Sequence, residues 1–139
     1  DRYEAAARRL RAEVWGAAPV AVELACALIE EGVADRVARD IRIEARERVR
    51  LATDMLQIKP PMPNGAAHIW LPMSLAEAER LVRRAADAGV RLTPPDATLI
   101  DSRTAGVRLC LMAPGRRSDL VRALRIVDDL RRGGQEAIV

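Results

Sequence analysis

The chain has 139 residues and half of them are apolar, which is enough for one core and excludes a disordered polar chain. Its 23 Lys and Arg stand against 20 Asp and Glu, for a net charge of only +3. The two signs are interleaved along the chain, so the composition points away from nucleic-acid binding by this segment. No apolar run approaches the roughly eighteen residues of a membrane span, and no signal peptide is evident. Cys26 and Cys110 lie in apolar periodic segments, which predicts two buried thiols in a cytoplasmic protein rather than a disulfide framework. A start at Asp1 rather than methionine is expected of a trimmed chain or a fragment.

Residues 3 to 15 are rich in strong helix formers, and Gly16 breaks the run. Pro19 opens a second helix, in which Val20, Leu24 and Leu28 repeat every four residues, with Ala21 and Ala25 beside them. Gly32 ends it. Asp35 is the expected N-cap of a longer helix from 36 to 57, about 33 Å in length. Val37, Ile41, Ala45, Val49, Ala52 and Leu56 form its apolar stripe. Its other face carries Arg39, Arg42, Glu44, Arg46, Glu47, Arg48 and Arg50 and reads as solvated, with Glu44 and Arg48 paired one turn apart. Pro60, Pro61, Pro63, Asn64 and Gly65 then end all helical pattern.

The second half changes character. Residues 66 to 71 read as a strand in which His68 and Trp70 share one face, with the histidine partly buried. Ser74 and Glu77 form a capping box. Leu75, Ala78, Leu81, Val82 and Ala85 line the following helix, which Gly89 ends. Residues 90 to 93 read as a second strand, stopped by Pro94 and Pro95. A loop with Asp101, Ser102 and Gly106 leads to a third strand at 107 to 112. Ser118 is the expected cap of a last helix carrying Leu120, Val121, Leu124, Val127 and Leu130, closed by Gly133 and Gly134. The pattern predicts a single α/β (α+β) domain over 1–139: a helical segment 3–57, a linker 58–65, and a small β-α-β-β-α sheet segment over 66–132.

Most catalytic chemistries lack their residues. One histidine and two distant cysteines cannot make a zinc site, so no metal is expected. His68 would have to be the base of any Ser-His or Cys-His pair, against its plainer role in a strand. Neither common phosphate-binding glycine loop occurs. Lys59, the only lysine, lies at a helix end before two prolines and reads as a solvated side chain facing the helix dipole. Trp15 and Trp70 read as packing anchors; phenylalanine is absent, which argues against base stacking. Arg108 stands apart, within the apolar strand Gly106-Val107-Arg108-Leu109-Cys110-Leu111. Either it points outward, opposite Val107 and Leu109, or its guanidinium receives a carboxylate in a bidentate fork.

The segment from His68-Ile69-Trp70-Leu71 through Ala88-Gly89-Val90 and Thr93-Pro94 to Gly106-Val107-Arg108-Leu109 and Ala113-Pro114 resembles the C-terminal small domain of fold-type-I, pyridoxal-phosphate-dependent aminotransferases. Leu28-Ile29-Glu30-Glu31-Gly32, Asp35-Arg36 and the run at 41 to 46 narrow the resemblance to the GntR/MocR family of transcriptional regulators, which join a winged helix to an aminotransferase-like domain. The resemblance implies an effector-binding domain in which Arg108 holds the α-carboxylate of an amino-acid-like ligand. It implies that Pro94, Pro95 and Thr98 border the ligand pocket; where the family carries glycine and an aromatic, this chain has Pro95 and Thr98. The family's cofactor lysine, its aspartate for the pyridine nitrogen and its DNA-binding domain have no counterpart here. The chain alone is therefore expected to be no enzyme and to bind no cofactor, with pyridoxal phosphate carried by a large domain of the longer parent and DNA contacted only through an absent winged helix. The alternatives are the small domain of a true class I/II aminotransferase, or a stand-alone interaction module. Apolar surface meant for the large domain predicts a homo-oligomer.

Overall fold

A computed structural model describes residues 2–13, 17–59, 67–98 and 105–133. It is a mixed α+β structure: among the described residues there are five α-helices and a two-stranded antiparallel sheet. The chain divides into two compact units, Asp1–Asp40 and Ile41–Val139. None of the described helices is long and apolar enough to cross a membrane.

The first unit holds α1 (Arg2–Glu13), α2 (Pro19–Glu30) and the start of α3 (Val33–Leu56). Pro19 sits in the first turn of α2 as its missing N–H predicts. Gly32 adopts a left-handed φ of +69°. Its carbonyl then accepts from the Arg36 N–H at 3.2 Å, so α3 starts at once from Val33. Asp35 is therefore not the N-cap; it lies in the first turn, where the helix dipole still favours its charge. The α2 stripe buries nothing: Val20 is 77% and Leu24 61% exposed, and Cys26, expected inside, is exposed.

In the second unit, α3 contributes Ala45, Ala52 and Leu56 to the interior, while Ile41 on the same stripe stays exposed, as does Val37 in the first unit. The sheet joins β1 (His68–Pro72) and β2 (Gly106–Cys110). Helices α4 (Leu75–Asp87) and α5 (Arg117–Gly133) supply Ala78, Leu81, Leu120, Leu124 and Val127 to the same core. Leu56, Leu71, Val107, Leu111 and Val127 are its largest fully buried side chains, each stabilising by about 1.5–3 kcal/mol relative to exposure. The Ser74–Glu77 capping box forms as the spacing predicts, and its hydrogen bonds hold the Glu77 carboxyl below its usual range.

Residues 90–93 form no strand. Gly89, at φ +81°, donates to the Ala86 carbonyl at 3.0 Å, and Val90 donates to Ala85 at 2.7 Å. This Schellman closure of α4 uses the Val90 N–H. Pro94 and Pro95 have none to offer a ladder, and a 3-10 turn follows at Pro95–Ala97. The last helix begins at Arg117, with the Arg116 carbonyl accepting from Leu120 at 3.2 Å, so Ser118 lies inside the first turn rather than at the cap. The linker prolines, Trp15, Asp101, Ser102 and Gly134 lie outside the described residues.

Candidate functional site

Strand alternation builds the site. Ile69, Leu71, Val107 and Leu109 point into the core, which leaves His68, Trp70, Arg108 and Cys110 on the opposite face. His68 and Cys110 are exposed, against the expectation of burial, because among the described residues helices cover only the other face of this sheet. The register sets Trp70 opposite Arg108 and His68 opposite Cys110. Just beyond the ladder, the Leu111 N–H donates to Ala67 at 2.9 Å and the Met73 N–H to Ala105 at 3.3 Å. The Trp70–Arg108 and His68–Cys110 positions are therefore non-hydrogen-bonded pairs, where side chains approach most closely. Gly106 makes room for the half-buried Trp70: a Cβ there would collide with the Leu71 carbonyl and meet the indole at 2.7 Å.

Beside β2 lies a cavity of about 470 Å³, between the 88–93 segment, the start of α5 and the strand itself. Leu109, Leu120, Leu124 and Val127 give it an apolar wall, and Arg91, Arg108 and Arg122 are also among its lining residues. Asp119, its one carboxylate among the described residues, pairs with Arg122 at 3.5 Å. Arg91 and Arg108 have no ion-pair partner among the described residues, so the cavity carries excess positive charge.

The turn after β2 that completes the cavity, through Ala113 and Pro114, is pinned from α3. Arg48, expected on the solvated face, is 5% exposed. It donates to the carbonyls of Leu111 at 2.9 Å, Pro114 at 2.5 Å and Gly115 at 3.4 Å, and to Glu44 at 2.7 Å. Arg117 donates to both Glu44 oxygens, at 3.0 and 2.5 Å. Hydrogen bonds from Arg117 first, then Arg48, hold the Glu44 carboxyl down at about 2. Sequence reasoning paired Glu44 with Arg48 and missed the three carbonyls; only the stretch Ala113-Pro114-Gly115, with little side chain to cap itself, hinted that a distant donor would be required.

Of the residues expected at a site, Arg108 stands at the cavity. Pro94, Pro95 and Thr98 do not line it; the lining from that loop stops at Thr93, while Pro95 is buried and the Thr98 hydroxyl donates to the Pro95 carbonyl at 3.2 Å. Lys59 is exposed and outside the cavity. The described residues thus do not fit a lysine-bound cofactor. No group of three His, Cys, Asp or Glu side chains that could hold a metal occurs among them. No hydrogen bond joins His68 to Cys110 among the described residues. The arrangement is suited to holding an anionic group against an apolar wall. The chain matches no family model, no curated protein and no solved structure.

Proposed function

We propose that this chain is the aminotransferase-like, effector-binding small domain of a GntR/MocR-type transcriptional regulator, and that Arg108 receives the carboxylate of an amino-acid-like ligand. One observation supports this above the others: an arginine on a strand, exposed beside a cavity and without an acid partner among the described residues. A strand is a precise platform for such a fork, and a bidentate carboxylate bond is strong and directional. In this proposal the chain belongs to a cytoplasmic parent, in which a large domain carries pyridoxal phosphate and a winged helix contacts DNA. The chain contributes recognition and no catalytic group of its own.

The test is calorimetric titration of the parent protein with a panel of amino acids. Arg108→Ala should weaken binding by about tenfold or more, with Arg108→Lys intermediate. Unchanged affinity would remove Arg108 from the role. A ligand-dependent change in operator binding distinguishes the regulator from the small domain of a true aminotransferase, in which the same arginine orients a substrate for turnover.

A second reading, an interaction module, is favoured by α2. Glu23 and Glu30 are the only charged residues in that helix, yet none of its side chains is buried. A helix apolar on nearly every side is normally enclosed, and self-association through it makes a homo-oligomer.

A further inference from the structure

Among the described residues, strand β2 pairs with β1 alone, and no described strand pairs with its other edge. Since Ala105 and Leu111 direct their backbone groups toward β1, alternation turns the N–H and C=O groups of Gly106, Arg108 and Cys110 the other way. No backbone hydrogen bond from a described residue meets Arg108 or Cys110 on that side. The 470 Å³ cavity lies along this same edge: its lining includes residues 108–111 and no residue of β1. The segment patterned to pair there, 90–93, lines the groove without forming a strand: the Val90 N–H is taken by the Schellman closure at Gly89, and Pro94 and Pro95 offer none. Proteins normally cover or blunt such edges, because unpaired backbone groups template further strands.

We propose that this groove takes up an extended acidic peptide segment as a third strand on β2. The backbone of the segment would pair with Arg108 and Cys110, its apolar side chains would face the Leu120–Leu124 wall, and its carboxylates would meet Arg91 and Arg108. Charge decides the occupant. Three arginines are among the residues lining the groove, against a single carboxylate that is already paired with Arg122. A second copy docking edge to edge would bring a second set of these arginines to the groove, and like charges across a ladder destabilise it. Strand addition of this kind draws affinity from the backbone and specificity from alternate side chains. The inference goes beyond the effector reading and does not rest on it, since it uses the strand edge rather than a fork on a small molecule.

The probe is a synthetic peptide of alternating valine and glutamate, matched to the five residues of β2, with a lysine-for-glutamate counterpart and a copy N-methylated at alternate positions. Binding to the full chain is followed by fluorescence anisotropy, and amide exchange by NMR. The glutamate peptide should slow exchange at the Arg108 and Cys110 amides by about tenfold or more, and N-methylation on the pairing side should abolish binding. Arg91→Glu, at an exposed side chain, should weaken binding about tenfold while leaving the fold intact. No binding at millimolar peptide, equal binding of the lysine peptide, or binding that leaves those two amides unprotected would each overturn the proposal. Loss of small-ligand binding in Arg108→Ala with peptide pairing intact, or the reverse, separates this inference from the effector reading.

Discussion

The Arg48 guanidinium is bonded to the Leu111 carbonyl at 2.9 Å, although 63 positions of sequence separate them. With Pro114 and Gly115 also accepting from it, one side chain of α3 satisfies the turn that follows the Arg108 strand. Removing it orphans the buried Leu111 carbonyl and leaves two part-buried carbonyls to water. Arg48→Met should therefore lower unfolding stability by about 2–4 kcal/mol, read as a shift of the urea midpoint. A loss below about 0.5 kcal/mol would mean that water replaces the guanidinium without cost.

Glu44 holds the other side of that cluster. Its folded-state carboxyl is depressed from 4.5 to about 2 by Arg117 and Arg48. A depressed acid stabilises the fold above its unfolded value, and that contribution is lost as pH falls from about 4.5 toward 2. The urea midpoint of the parent sequence should drop through this window more steeply than that of Glu44→Gln. Parallel acid limbs would show that Glu44 titrates alike in both states.

Gly106 is the narrow point beneath Trp70. Gly106→Ala places a methyl group against the Leu71 carbonyl and 2.7 Å from the indole. The strand or the ring must shift, at about 1–3 kcal/mol, and tryptophan fluorescence should change as Trp70 leaves its seat. Unaltered stability and emission would contradict the packing described.

Arg108 offers the opposite case. It is exposed and has no ion-pair partner among the described residues, so Arg108→Ala should change stability by less than about 1 kcal/mol, the scale of its cross-strand contact with Trp70. Matching denaturation curves alongside weakened ligand binding would mark a residue kept for recognition. A large loss of stability would make it structural.

Local chemistry was legible wherever the cause is local. The Ser74–Glu77 box, the helix end at Gly89, and the core-facing stripes of α4 and α5 follow from neighbours within one or two turns. Alternation in Gly106–Cys110 sets Arg108 opposite Val107 and Leu109, as one of its two sequence readings required. Tertiary structure decided whatever needs a partner from far away. Periodicity marks an apolar face but not whether anything covers it, so Val20 and Leu24 carry the same pattern as Leu120 and Leu124 and remain exposed. Residues 90–93 carry strand-like composition, yet a strand exists only when a neighbour's backbone pairs with it, and the Val90 N–H is already committed to Ala85. Arg48 sits among charged residues and reads as solvated; its acceptors lie 63 to 67 positions away, and only the fold brings their carbonyls within reach of its guanidinium.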